Sequence, residues 1–276
     1  MNLGPHLLLA FLEGTVSAFV LALTALGLSL VFGVMRIVNV AHGTFFMLGA
    51  VLAAACASLA GDHTSLGFLL AIIGSPLIVG LVAVLADRLV LRRLNYQPEA
   101  TIVATIGLLY IIEQVTLMTF GPDARSVAPL FNFRIQLPWF GYSGYKLIVM
   151  LISALLLIAT WYGITRTRLG LIMRATQFDR ETATAFGIPV DRVYAAVFAL
   201  GAMLAAIAGV LVVPIRQAHY LMGLDPLLQS FIVVIIGISD GMISVFFSPT
   251  LAKILATLLV ALVLVWRPGG LFGSKA

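Results

Sequence analysis

Long apolar runs separated by short polar stretches make up most of this chain. Runs near 7–33, 43–60, 68–90, 101–119, 147–164, 193–213 and 250–266 reach the length that crosses a bilayer as helix, roughly 17–25 residues. A shorter run lies near 226–238. The apolar residues are continuous within each run and do not alternate, which predicts helices rather than barrel strands. The expected fold is an all-α polytopic membrane protein of about seven to eight transmembrane helices. Residues 1–276 would form a single membrane domain.

The polar breaks assign the sides. Basic loops stay on the cytoplasmic face, and the stretch from Arg166 to Arg192 carries five arginines. Arg88, Arg92 and Arg93 mark a second inner loop, and Arg36 falls in the inner turn between spans one and two. The first span therefore starts outside, and the loop 120–146 is outside. That loop holds turn-forming Gly121, Pro122, Pro129, Pro138 and Gly141, with interfacial Trp139, Tyr142 and Tyr145. At the C-terminal end, Arg267 and Lys275 favour the inside, yet two apolar runs follow the outer segment 214–225. One resolution is a broken half-helix over 226–238 that stops near Gly237 and Gly241, followed by a true span at 250–266. The other is two full spans with the C-terminus outside.

Composition sharpens the class. The chain is 62% hydrophobic and 10% charged, with mean hydropathy +1.13; soluble domains carry about 25% charged residues. The formal charge of +5 follows the positive-inside pattern and does not imply nucleic acid. The lone Cys56 lies in an apolar run and reads as a small buried hydrophobe. No Lys or Arg precedes Arg36, so the first run lacks a signal peptide's basic start and reads as a retained span.

No enzyme constellation is visible. Zinc-protease and nucleophile-elbow motifs are absent, and His6, His42, His63 and His219 are scattered. The chain has no Gly-Lys dipeptide and so no Walker A loop. If ATP drives this protein, another chain hydrolyses it.

Three polar features interrupt the apolar pattern. Asn39-Val40-Ala41-His42-Gly43 separates two apolar runs. It reads either as an unwound segment lining a path or as an ordinary inner turn. Glu113, beside Gln114, lies within span four, with Thr101, Thr105 and Thr116 near one helical face. It is either a path residue or a hydrogen bond between helices. The third is a short cytoplasmic helix near Phe178 to Phe186. Thr176 and Asp179 fit a capping box at its start, and Gly187 with Pro189 ends it. It is either a solvated linker or a rigid docking element, with Phe186 as the anchor in the second case. Separately, Gly201, Ala205 and Gly209 form a small-residue stripe suited to close helix packing, within the chain or against a second subunit. Glu13, near the outer end of span one, reads as solvated.

Two stretches resemble a known family. Gly27-Leu28-Ser29-Leu30-Val31-Phe32-Gly33 runs on through Arg36-Ile37-Val38-Asn39-Val40-Ala41-His42-Gly43. It looks like the N-terminal signature of branched-chain amino acid ABC transporter permeases of the LivH-like type. Arg174-Ala175-Thr176, Asp179-Arg180-Glu181-Thr182-Ala183 and Gly187-Ile188 look like the coupling segment of the same family. Arg267-Pro268-Gly269-Gly270-Leu271-Phe272-Gly273 resembles its ending. Asn-Tyr-Gln-Pro at 95–98 is less typical.

The resemblance implies a multi-pass permease of the bacterial inner membrane, serving an importer of branched-chain or related apolar amino acids. Urea or a short amide is the alternative cargo, and an ion-coupled carrier a further one. It implies a second homologous permease subunit, two ATPase subunits and a periplasmic substrate-binding protein as partners. ATP and Mg would sit on the ATPase, with no cofactor on this chain. Arg174, Asp179, Arg180, Glu181, Thr182, Ala183, Phe186 and Gly187 would couple to the ATPase. Asn39, His42, Gly43 and Glu113 would face the translocation path. One departure stands out. Relatives usually carry a further apolar helix before the last span, and Gly237 to Pro249 leaves no room for it.

Overall fold

A computed structural model describes residues 3–61, 64–136 and 138–246. Nine α-helices occur among them. They are α1 (Leu3–Met35), α2 (His42–Ala60), α3 (Thr64–Ala86), α4 (Pro98–Phe120), α5 (Gly144–Arg166), α6 (Arg168–Phe178), α7 (Arg180–Ala185), α8 (Val190–Val212) and α9 (Leu224–Phe246). A π-turn over Asp87–Leu91 and a 3-10 turn over Arg92–Leu94 extend α3. The outer loop holds a small antiparallel hairpin of β1 (Arg134–Gln136) and β2 (Gly141–Ser143). Six helices among the described residues, α1 to α5 and α8, are long and apolar enough to cross a membrane. The chain is an all-α polytopic membrane protein.

The first compact unit is Met1–Ser230, and the second begins at Phe231. In the first, α8 forms the centre and packs against α1, α2 and α3. Small residues allow this. A Cβ on Gly27 would meet the Gly201 carbonyl at 2.5 Å, and one on Gly209 would run into the Phe46 carbonyl. The Gly201–Ala205–Gly209 stripe therefore serves close contact within the chain, against α1 and α2. Phe45 and Phe198 cross edge to face at 5.8 Å between α2 and α8. By contrast α4 and α5 expose apolar faces, with Val103, Ile111 and Met118 on one and Leu151, Leu155 and Ile158 on the other. Such faces suit lipid.

Contacts between loops agree with the sides read from the arginines. Arg125 and Ala218 form an antiparallel bridge between the outer loop and the segment after α8. At the opposite end Arg92 pairs with Asp191 at 2.8 Å, and Arg36 Nη2 donates to the Gln177 carbonyl at 3.1 Å.

The structure corrects two local expectations. The cytoplasmic loop contains two helices, not one. Thr176 lies inside α6, its hydroxyl donating to the Ile172 carbonyl at 2.9 Å, so it caps nothing. Asp179 alone caps α7, accepting from the Glu181 and Thr182 amides at 2.9 and 3.1 Å. Second, no half-helix stops at Gly237 or Gly241: α9 runs unbroken through both. The run 250–266 and the Arg267–Gly273 ending lie outside the described residues.

Candidate functional site

The inner end of the bundle carries the coupling candidates. Thr167 starts α6 by accepting from the Gly170 amide at 3.2 Å, and Arg174 Nη1 donates to the Thr165 carbonyl at 3.3 Å. Gly170, Met173 and Thr176 face the bundle. The chain then turns at Asp179 into α7. The Thr182 hydroxyl, followed by the cap amides, holds the Asp179 carboxyl below the usual carboxylate range. Ala183 is buried beneath α7, while Glu181 and Thr182 are exposed. Gly187, at φ 81°, turns the chain toward α8. Phe178 and Phe186 are 87% and 83% exposed, so both flanks of α7 present an aromatic ring to solvent.

Arg180 anchors this segment from below. Its guanidinium lies 5.6 Å from the Tyr96 ring centroid and 5.7 Å from that of Tyr194. The two rings meet edge to face at 4.8 Å. Tyr96 belongs to the turn before α4 and Tyr194 to α8, so one side chain ties α7 to two parts of the bundle. Tyr96 has φ 56° and its neighbour Asn95 φ 51°, while Arg36 has φ 57°. These three left-handed non-glycine residues all lie at the inner rim. Each costs on the order of 1 kcal/mol and persists only where packing holds it. Beneath them Asp87 is fully buried at the π-turn. The Tyr96 hydroxyl is directed at its carboxylate. Burial and the nearby Asp87 charge push the Tyr96 phenol above its usual range.

The second site lies deep in the bundle. Residues 36–41 return from the inner end, and α2 begins only at His42. His42 Nε2 donates to the Thr24 carbonyl at 2.9 Å. Thr24 lies eleven residues, about 16 Å, along α1 from its inner end at Met35. The same ring abuts Gly27, which faces Gly201 at the midpoint of α8. α2 thus starts near mid-depth. The turn is satisfied by protein: Asn39 Oδ1 accepts from the Ala41 amide at 3.1 Å and Thr105 Oγ1 from the Val40 amide at 3.2 Å. Irregular backbone at that depth needs such partners. Asn39 and His42 are both buried, at 1% and 0% exposure.

Gly43 and Glu113 come together. With Thr44, Tyr110, Leu221 and Gly223 they line a cavity of about 270 Å³. A Cβ on Gly43 would collide with the Gly223 carbonyl, so the starts of α2 and α9 meet beside Glu113. Glu113 is half-buried, and Gln114 faces away. Thr101, Thr105 and Thr116 are buried on the neighbouring face. The structure therefore sets Gly43 and Glu113 on a cavity, with Asn39 and His42 packed behind it.

Sequence reasoning overlooked Asp87, Tyr96, Asp191 and Tyr194. Aromatic and acidic residues on an inner rim are common; what distinguishes these is that Tyr96 and Tyr194 meet beneath Arg180, Asp87 lies against Tyr96, and Asp191 pairs with Arg92.

Residues 10–269 match the family described as branched-chain amino acid transport system / permease component. The chain belongs to this family. LivH, a high-affinity branched-chain amino acid transport system permease protein of Salmonella typhimurium, is 25% identical over 283 residues, covering 91% of each chain. LivH of Escherichia coli is 25% identical over 286 residues with the same coverage. The corresponding BraD protein of Pseudomonas aeruginosa is 24% identical over 216 residues, covering 75% of this chain and 70% of its own. No solved structure matches. This permease is a multi-pass inner-membrane transport protein.

Proposed function

We propose that this permease is the membrane subunit of an ATP-driven importer of branched-chain amino acids. ATP and Mg act on a separate ATPase subunit, which docks onto α6 and α7. Two ATPases, a second related permease subunit and a periplasmic substrate-binding protein complete the assembly. The names of the relatives support the cargo class. Gly43 and Glu113 line the path, and Asn39 and His42 hold the broken backbone that shapes it.

One observation carries the docking reading. α7 is clamped to the bundle through Arg180, yet it turns Phe178 and Phe186 outward. Exposed aromatics flanking a rigid element are what an interface core buries. A push on α7 passes through Arg180 into the turn before α4 and into α8.

The test uses Glu181→Lys and Phe186→Ala, two exposed positions that leave the buried Ala183 contact alone. Both variants should insert normally, yet lose ATP-driven uptake and ATPase binding. Wild-type uptake by both would remove α7 from the coupling interface.

A further inference from the structure

The exposed helix faces of the first compact unit are not alike. On α3 the exposed residues Ile73, Leu77, Leu81 and Leu85 are all aliphatic. On α5 they are Leu151, Leu155 and Ile158, with Trp161 and Tyr162 near the inner end, where an interfacial belt lies. Lipid satisfies both faces. α4 differs. At 100° per residue its exposed arc has two edges. Ile111, Val115 and Met118 make one, which is wholly apolar. The other carries Gly107, Tyr110 and Gln114. That edge adjoins the Glu113 cavity, whose rim Tyr110 shares.

The second edge is poorly matched to hydrocarbon. Gln114 lies six residues, about 9 Å, inside the outer end of α4 at Phe120, and Tyr110 ten residues, about 15 Å. Neither the Gln114 amide nor the Tyr110 hydroxyl makes a hydrogen bond among the described residues. Lipid offers them no partner, and an unpaired amide in hydrocarbon is costly. Gly107 is open, since a Cβ there would meet nothing within 4 Å. Glycine weakens a helix relative to alanine, and no contact within the described chain accounts for it. The cavity points the same way. Tyr110, Leu221 and Leu224 on its rim are exposed, so the cavity that holds the Glu113 carboxyl opens on this side. An ionisable group within a span needs protein or water around it.

A small residue beside polar side chains is how helices associate in a bilayer. The chemistry of the edge also selects the occupant. A primary amide both donates and accepts, and so does a phenol, so each is its own complement. Two copies inserted with the same topology are related by a two-fold axis along the bilayer normal, which sets like residues opposite each other at equal depth. Gln114 then meets its own counterpart, and Gly107 lets the two backbones approach.

We propose that the α4 edge built on Gly107, Tyr110 and Gln114 is a subunit interface, covered by the same edge of a second copy of this chain, and that this contact closes the open side of the Glu113 cavity. It rests on the import reading given above, which calls for a second permease subunit, and names that subunit and the face it covers.

The test uses the full chain in inner-membrane vesicles, as two copies with different tags, in a Cys56→Ala background. In Gln114→Cys a short membrane-permeant bis-maleimide should join copy to copy, while Leu77→Cys on α3 and Leu155→Cys on α5 should stay uncoupled. Gln114→Leu should reduce recovery of one tagged copy with the other by about threefold for each of two symmetry-related hydrogen bonds. Gly107→Leu should reduce it further, and Val115→Leu, on the apolar edge, should not change it. Unchanged recovery in both Gln114→Leu and Gly107→Leu would overturn the proposal, because those side chains would then simply face lipid. So would an absent adduct in Gln114→Cys, or an equal one in Leu155→Cys. An adduct to a co-expressed related permease in place of the second copy, or to a cysteine placed in 250–266 of the same chain, would overturn it too. The cross-link is read without substrate or ATP. Leucine uptake by vesicles that give no adduct would overturn this interface and leave the import reading standing; an adduct in a complete assembly that takes up no leucine would do the reverse.

Discussion

Arg180→Ala removes the side chain that joins α7 to the bundle. The guanidinium lies within 6 Å of two ring centroids, at 5.6 and 5.7 Å. Each cation–π contact at a partly exposed site contributes about 0.5–1 kcal/mol. Together they hold α7 by about 1–2 kcal/mol, a factor of roughly 5–30 in the equilibrium constant for the bundle-attached position. Apparent affinity for the ATPase should fall by up to that factor if that position is the docking-competent one, in proportion to the fall in the attached fraction. Arg180→Lys keeps the charge, but a compact ammonium cannot lie across both rings, so it should recover about half of the free energy. Tyr96→Phe should be nearly silent for docking, because the ring and not the hydroxyl makes the contact. Titrating purified ATPase onto the variants in nanodiscs, beside hydrogen exchange of the α7 amides, reads both effects. Wild-type ATPase affinity and wild-type α7 protection in Arg180→Ala would refute the clamp.

Four further outcomes follow from the geometry. Gly43→Ala forces a methyl into the Gly223 carbonyl and should cost about 1–3 kcal/mol, read as a lower melting temperature in detergent; an unchanged one contradicts the close approach. Glu113→Gln should impair leucine uptake at normal expression if the charge meets the substrate ammonium, and near-normal uptake would make Glu113 a structural residue only. The Asp179 carboxyl has a depressed folded-state pKa, so its cap is at full strength above the ordinary carboxylate value near 4 and weakens as pH falls through the lower folded value. Exchange of the Glu181 and Thr182 amides should therefore be insensitive to pH-linked cap loss between pH 5 and 8, and Asp179→Ala should raise it at every pH. A cysteine at Ser143 should react with an impermeant reagent on intact spheroplasts and one at Thr184 should not; the reverse labelling would invert the bundle.

Much of this fold was legible because apolar continuity and arginine position are strong, local signals. Spans one to six follow from apolar continuity directly, as does the stripe Gly201–Ala205–Gly209, and the arginines group the loops that meet at each end. The capping error had a local cause. Thr176 and Asp179 have the spacing of a capping box, but α6 runs through Thr176, and its hydroxyl returns to the Ile172 carbonyl instead. The half-helix ending near Gly237 and Gly241 was one of two ways to reconcile two apolar runs with Arg267 and Lys275; a crossing count carries no local information on helix continuity, and single glycines cost a helix only about 1 kcal/mol. The grouping at each site was not legible, because it depends on tertiary approach. Nothing in the sequence brings Gly223 against Gly43, or Tyr96 and Tyr194 beneath Arg180. Asn39 and His42 stood out because polarity in an apolar setting is conspicuous. Their burial behind the cavity follows from the return of 36–41 into the bundle, which periodicity does not encode.

We propose that this permease carries branched-chain amino acids inward at the expense of ATP hydrolysed on another chain. Radiolabelled L-leucine uptake into proteoliposomes tests it most directly, with the permease pair, binding protein and ATPase reconstituted together, and again with the ATPase omitted. Leucine should accumulate only when ATPase and ATP are both present, and labelled urea should not enter. Leucine accumulation driven by an ion gradient without ATPase, or ATP-dependent entry of urea in place of leucine, would contradict the account.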